Sequence, residues 1–600
     1  MTHHPAPPRP TSRLAVLAAC ALALAACAPL APTAGTETEA SAAGAASAPF
    51  EVTVLDQVEG AVDRRLFGQF LERPSWGGEF QETGPERAYR DDLGAVDPAV
   101  VRLMDAAEIP VIRWPGGTDI DYMDWTEMID NAPGRSDPAR PVSTGHTGER
   151  VTNRVGMDEG LSLIEEVGAE AILVLNLGDA ILGEQPVRDA ALHAAGLVAY
   201  ANAEVGADLP DGMPDWPAIR ERNGRAEPWD VRYVQVGNET WIFRDEDGTV
   251  LHPYGGTSVS AEARERYFDV LDEYITLVEA VAPDAEIIVD GATRDLVEGY
   301  RARFGDRIDY LTFHLYHPWG MRGAARDDDF DGAPEEAFDY REWVQDPAHA
   351  DAVWYAWVQP QAVDADGVAR LSSDVLGWIV AAGYPAVVTE WNWNGWWHDA
   401  EPHPALDSFG GRALGATSYL FEMMRRGDDV VLATQSMLVG WHWQIAGIAV
   451  PPDAAPYVRP SLLATGLLSQ HHGPERLALE YDPPPTYAQP WRFEAGWADG
   501  IRPTPRVALV EAVATRSADS VYVHLINRRP RQGQTVRLRL PADVADGPSV
   551  LHALSSGPDV PPDGARVETT PVPVRAEGDV RVVEVVLPPA SVSTLAVPRR

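Results

Sequence analysis

Glu239 closes the run "VRYVQVGNE" and Glu390 closes "PAVVTE", so each carboxylate stands at the end of an apolar, strand-like segment. Burying a carboxylate is costly unless it is paired or hydrogen-bonded. Each glutamate therefore either caps something structural or is held in place for chemistry. One glutamate after a strand is a weak sign. Two, brought to one place by different strands, suit the cleavage of a glycosidic bond, which needs a proton donor for the leaving oxygen and a second carboxylate at the anomeric carbon. For that division of labour one carboxyl must be protonated, its pKa raised by burial and by the charge of the other, while the other stays ionised. Strand-end positions nominate Asn238, Tyr316 and Arg113 as the supports of Glu390.

Other polar residues fall at the ends of similar runs: Glu72 in "LFGQFLE", Asn176 in "AILVLNLG" and His314 in "IDYLTFHLY". Beyond Glu390, "WNWNGWW" supplies Trp391, Trp393, Trp396 and Trp397. Aromatic faces suit the C–H surface of a sugar ring, so at least one of these is expected to line a cleft, with Trp391 and Trp393 the named candidates. Strand alternation puts those two on one side, and core packing is the competing reading. Trp76 and Trp319 are similar candidates.

The elements that must position these residues have a regular order. Eight short apolar runs, from "LFGQFLE" to "VVLATQSMLVGWHW", alternate with amphipathic helical patterns such as "AEARERYFDVLDEYITLVEAVAP". That alternation predicts a (β/α)8 barrel of the α/β class over residues 65–473, with its site at the C-terminal ends of the strands. An open doubly wound sheet is the alternative, but no G-x-G-x-x-G follows a first strand. From 474 to 600 the runs read as strands between Pro, Gly and Asp turns, predicting an all-β sandwich. Residues 50–64 hold a strand outside the barrel count that is expected to pair with the sandwich.

A net charge of -42 argues against nucleic acid or an anionic membrane surface as a partner. The chain contains no lysine, which reads as codon bias rather than function. Cys20 and Cys27 are its only cysteines. Both end an "LAAC" in a short apolar stretch behind Arg9 and Arg13, the pattern of a lipoprotein-type export signal over 1–27. Cys27 is the expected lipidation site, with 28–49 a low-complexity tether. The expected location is the cell surface, through that lipid anchor alone, or outside the cell. No metal and no cofactor is expected: "HHG" at His471 lacks a third ligand at suitable spacing. "DEDG" at Asp245 and "RDDDFDGAPEE" at Arg326 approach calcium loops, but neither carries the full D-x-D-x-D-G-x5-E register, so both read as solvated loops.

Over residues 50 to 600 the chain resembles the clan A retaining glycosidases, and within them it is most similar to the α-L-arabinofuranosidases of glycoside hydrolase family 51. "LFGQFLERPSWGG", "IRWPGGTDIDYMDW", "VGNE", "LTFHLYHPW", "VVTEW" and the closing "LPPASVSTLAV" carry the resemblance. It implies Glu239 as acid/base beside a supporting Asn238, and Glu390 as nucleophile. It also implies Glu72 as a sugar-binding carboxylate and His314 and Tyr316 in the site, and it matches Tyr122 and Trp125 to the family's Tyr-x-x-Trp. Where the family has a sugar-binding asparagine after Pro-Gly-Gly, this chain has Thr118, which keeps a hydroxyl but loses the amide. Near the eighth strand, Met437 and Gly440 stand in place of a glutamine and an asparagine. The implied substrate is a carbohydrate. Two other readings stand beside it: a clan A glycosidase acting on pyranosides, and a non-catalytic carbohydrate-binding lipoprotein.

Overall fold

The computed structural model describes residues 49–73, 84–244, 250–318, 320–393, 397–398, 406, 408–441, 444–494, 500–545 and 547–600. The export signal with Cys27, most of the tether, Trp76, Asp245–Gly248, Trp319, Trp396 and the side chain of Trp397 lie outside this description. Eight parallel strands form a closed barrel, each beside its neighbours in chain order. They are Gly68–Phe70, Val111–Trp114, Glu170–Leu175, Tyr233–Val236, Glu286–Asp290, Tyr310–His317, Ala386–Trp393 and Val430–Ser436. These are the eight runs expected from the sequence. They are apolar because both faces of each strand are covered. Val111, Ile172, Tyr233, Ile288, Val387 and Leu432 fill the barrel interior. Ile112, Leu173, Val234, Ile287, Leu311 and Val388 point the other way, into the core shared with the helices.

The helices follow from capping and stripe. In Ala261–Val281, the Ser260 hydroxyl accepts the Ala263 N–H at the N-terminus, and Tyr267, Leu271, Tyr274, Ile275 and Val278 form the buried stripe. Helix Phe409–Arg425 differs in being buried nearly all round, because it lies between the barrel and the C-terminal sheet. Small residues permit this close fit: a Cβ on Gly415 would come within 2.1 Å of the Trp393 ring.

Nine strands of the C-terminal region and one from the N-terminal side are hydrogen-bonded in one unbroken sheet that closes over a single apolar core. Phe50–Ala61 is one of them, antiparallel to Glu475–Tyr481 and parallel to Gln534–Leu540. Arg528 is one polar link between this sheet and the rest of the chain. Fully buried, it pairs with Glu511 at 2.7 Å and donates to Ser418 Oγ at 2.6 Å and to the carbonyls of Ala508 and Val358. Burial works against the charge of Glu511, but Arg528 and Arg425 outweigh it and hold its pKa below the ordinary value. Arg528→Met leaves Glu511 with one cation and strips two carbonyls and the Ser418 hydroxyl of their donor. It is expected to destabilise the fold by about 3–5 kcal/mol in equilibrium denaturation; a loss under about 1 kcal/mol would mean that the joint rests on apolar packing instead.

Candidate active site

The second strand ends in Trp114, followed by Pro-Gly-Gly, and its inward residue Arg113 is the hub of the site. Its guanidinium is fully buried and donates to Gln235 Oε1 at 2.8 Å, Asn238 Oδ1 at 2.6 Å and Glu390 Oε1 at 2.8 Å. The same group lies 4.6 Å from the centre of the Phe70 ring. Arginine suits this place because its fork can hold three acceptors in one plane while remaining charged.

The fourth strand delivers Asn238 and Glu239 through a sharp corner. Gly237 has φ 78°, and Glu239 itself is left-handed, with φ 48° and ψ 45°. A non-glycine residue there costs about 1–3 kcal/mol. Two buried carboxylates hold the corner: Asp121 accepts the N–H of Asn238 and those of Leu177 and Gly178, and Asp290 accepts the N–H of Thr240. Loss of hydration outweighs those three N–H donors and pushes Asp121 up to about 7.

The sixth strand alternates regularly, with Thr312, His314 and Tyr316 facing inward. The seventh does not. Val387 faces the interior, but the pairing slips between Val388 and Trp391, so that Thr389 and Glu390 both face inward. This bulge sets Glu390 beside its register partner His314. It also sends Trp391 and Trp393 outward. Bulges next to functional sites commonly re-aim a side chain in this way.

Glu390 and Glu239 meet across the mouth. One ligating oxygen of each, with a ring nitrogen of His314, falls in a group whose members all lie within 4.8 Å of one another. His314 Nδ1 is 2.8 Å from Glu239 Oε1 and 3.7 Å from Glu390 Oε2, while its Nε2 is 3.1 Å from Thr389 Oγ1. Tyr316 donates to Glu390 Oε2 at 2.8 Å and its hydroxyl is 2.7 Å from Ser436 Oγ.

These surroundings drive the two carboxyls apart. Burial, and next the charge of Glu390, raise the pKa of Glu239. Burial would raise Glu390 too, but His314, Arg113 and the Tyr316 hydroxyl together hold it below the ordinary value. Burial pulls His314 down, yet the two carboxylates win and raise it.

Glu72 belongs to the same wall: a Cβ on Gly117 would lie 2.6 Å from Glu72 Oε1 and 3.1 Å from Glu390 Oε1. Thr118 is buried where the short helix after Gly117 begins. Asn238 gives its oxygen to Arg113, and its Nδ2 has no hydrogen-bond partner among the described residues.

Three expectations require correction. Trp391 and Trp393 are fully buried against helix Phe409–Arg425 rather than lining a cleft. The Trp393 ring packs on Tyr419 and His317, and its N–H donates to Trp357 O. Asn176 is spent on backbone groups, donating to Met123 O in the loop after the second strand and accepting from Asp179 N in its own. Conversely, half-buried Trp241, two residues after Glu239, stands with its ring 5.0 Å from His314 and is the described tryptophan that borders the site. "GNETW" contained that signal.

Neither cluster at this end of the barrel suits a metal ion. Arg113 already holds the charge of Glu390. Asp119, His146 and Glu149 form a second group within 4.8 Å, but Arg73 lies 3.2 Å from Asp119 and His146 is turned to it at 3.3 Å.

A family model described as "Alpha-L-arabinofuranosidase 1 domain" matches residues 103–331, a span that includes Arg113, Asn238, Glu239, His314 and Tyr316 and stops short of Glu390. Among curated proteins, the chain is 25% identical over 299 residues to the intracellular exo-α-(1→5)-L-arabinofuranosidase of Halalkalibacterium halodurans, covering 48% of this chain and 51% of that one. Over part of its length the chain is thus similar, at low identity, to α-L-arabinofuranosidases. To α-L-arabinofuranosidase C of Emericella nidulans it is 28% identical over 230 residues, covering 38% and 37% of the two chains. It thus spans about half, or less, of the length of the curated relatives it matches. The fold likeness extends further: the GH51 α-L-arabinofuranosidase of Thermotoga petrophila superposes with a TM-score of 0.62 at 18% identity, covering 91% of this chain and 99% of that one. The likeness of fold therefore takes in both the barrel and the C-terminal sheet.

Proposed function

We propose that the chain is a retaining glycoside hydrolase that removes α-L-arabinofuranosyl groups from a polysaccharide or oligosaccharide. The observation that carries this reading is the approach of Glu239 and Glu390 to within 4.8 Å at oxygens whose proton affinities are driven in opposite directions. A gap of that size suits direct attack by one carboxylate; an inverting pair stands about 6.5–9.5 Å apart to admit a water.

In the first step a Glu390 oxygen bonds to the anomeric carbon while that carbon's bond to the leaving oxygen breaks, and Glu239 gives its proton to that oxygen. In the second, Glu239, now ionised, takes a proton from water as the water oxygen bonds to the anomeric carbon, and Glu390 leaves as the carboxylate. Arg113 and Tyr316 keep Glu390 ionised and aimed. The Glu72 carboxylate, on the same wall as Glu390, suits sugar hydroxyls, and the half-buried Trp241 face suits the ring's C–H surface.

The arabinofuranose assignment rests on the family relationship, and a nitrophenyl glycoside panel tests it. Turnover is expected on the α-L-arabinofuranoside, with retained configuration in the product. Turnover confined to pyranosides would sink the sugar assignment and leave the reaction class. Labelling of Glu390 by an arabinofuranose-configured cyclophellitol probe, located by peptide mass spectrometry, reports the nucleophile at the same time.

The residues of 1–27 support export with a lipid on Cys27, a placement that differs from that of relatives named intracellular. Among the described residues no helix is long and apolar enough to cross a membrane. Cys27→Ala is expected to move the protein from the membrane fraction to the soluble one, and equal membrane retention of both forms would rule the anchor out.

A further inference from the structure

We propose that the loop from Asp327 to Glu335 is a calcium site. It joins strands Gly323–Arg326 and Glu336–Phe338, which pair antiparallel with Arg326 opposite Glu336, in the insertion that follows the sixth barrel strand. On its other edge Gly323–Arg326 pairs with Trp491–Glu494, so the loop sits where the insertion meets a segment from the C-terminal region.

Asp327, Asp329 and Asp331, with Gly332, complete D-x-D-x-D-G, and Glu335 stands at the ninth position. In calcium loops the first, third and fifth positions supply oxygens, glycine makes the turn at the sixth, and the ninth supplies a ligand directly or through water. Phe338, at the twelfth, replaces the usual glutamate. Gly332 has φ 90°, the left-handed turn that glycine permits. One carboxylate oxygen each from Asp327, Asp329 and Glu335 falls within 4.8 Å of the others.

The decisive atom is Asp327 Oδ1. Asp327 is 1% exposed, and while its Oδ2 accepts the Gly332 N–H at 3.0 Å, Oδ1 is buried with no hydrogen-bond partner. A buried carboxylate with one oxygen unpartnered, grouped with two more carboxylates, is costly without a cation. No arginine among the described residues pairs with these three: Arg326, the nearest in sequence, bonds Asp328 at 2.8 Å and lies over the Trp491 ring. That separates this group from Asp119, His146 and Glu149, where Arg73 already answers the charge. Three clustered carboxylates on one loop match calcium, which accepts six to eight oxygens in irregular geometry, better than magnesium, which demands a near-ideal octahedron.

The test uses the full chain. Calorimetric titration with CaCl2 after chelation is expected to give one site with a Kd of about 10⁻⁵ to 10⁻³ M, the weaker half of the known range because the twelfth-position glutamate is missing. Tb³⁺, excited through Trp491, should luminesce and be displaced by Ca²⁺. Asp329→Asn and Glu335→Gln alter exposed side chains and leave the fold intact; each is expected to weaken binding by about 10-fold or more, and the double variant to lose the calcium-dependent rise in Tm. A wild-type protein with no saturable heat up to about 10 mM Ca²⁺ overturns the proposal, as does a double variant that binds like wild type.

Discussion

Glu390→Gln is expected to lower kcat/KM by about 10⁴- to 10⁶-fold, the scale on which removal of a catalytic nucleophile is felt. The variant isolates chemistry from folding. Glutamine keeps the length of the side chain and an oxygen for the Arg113 fork at Nη1, so the buried guanidinium retains its partners Gln235, Asn238 and position 390. Alanine would leave that guanidinium buried beside an empty position, and lost stability would be confounded with lost catalysis. A second readout separates a nucleophile from a mere structural anion. The charge of Glu390 is, after burial, the largest influence raising Glu239. With that charge gone, Glu239 ionises at lower pH, so the alkaline limb of any residual activity moves down. Residual activity above about 1% of wild type with an unmoved alkaline limb would remove Glu390 from the role.

Much of this arrangement was legible before any coordinates. Parallel barrel strands are buried on both faces, so they appear as unbroken apolar runs, and Glu239, His314 and Glu390 interrupt those runs because the strand ends form the mouth. What the chain hides is phase. A period-two reading of "VVTEWNW" puts Trp391 and Trp393 on one side but cannot say which, and the slip between Val388 and Trp391 decides it. The bulge that turns Glu390 inward is the same feature that removes both tryptophans from the cleft. Asn176 differs from its expected role for a related reason: a strand-end amide can serve backbone groups as readily as a ligand, and Met123 and Asp179 claim it. Asp121 and Asp290 were not visible as parts of the site. Their work is to accept N–H groups behind Asn238 and Glu239, contacts that join distant segments of chain. At Asp327 the register alone says nothing of burial, and the unpartnered oxygen is visible only in the folded loop.

Glu239→Ala is expected to show a loss that depends on the leaving group. For an alkyl or sugar aglycone, whose oxygen needs a proton to depart, kcat/KM falls by about 10²- to 10⁴-fold, the contribution of general acid catalysis. For a dinitrophenyl aglycone, which leaves as a stable phenolate, the first step should proceed nearly unimpaired. The second step then lacks its base, so the glycosyl-enzyme on Glu390 accumulates and is seen as a burst of phenolate followed by slow turnover and a lowered KM. Azide should restore turnover, because it attacks the anomeric carbon and displaces the Glu390 carboxylate with no proton to remove, giving a glycosyl azide of retained configuration. The pH profile carries the same assignment with its sign. Glu390, held low, must be ionised, so activity falls as pH drops through its pKa. Glu239, held high, must be protonated, so activity falls again as pH rises through its own, and the free-enzyme profile of kcat/KM is a bell. In Glu239→Ala the alkaline limb should vanish for dinitrophenyl substrates while the acid limb stays. Equal losses for both aglycones, with no response to azide, would show that the proton comes from elsewhere. His314, 2.8 Å from Glu239 and itself raised by the two carboxylates, is the group that would then have to supply it.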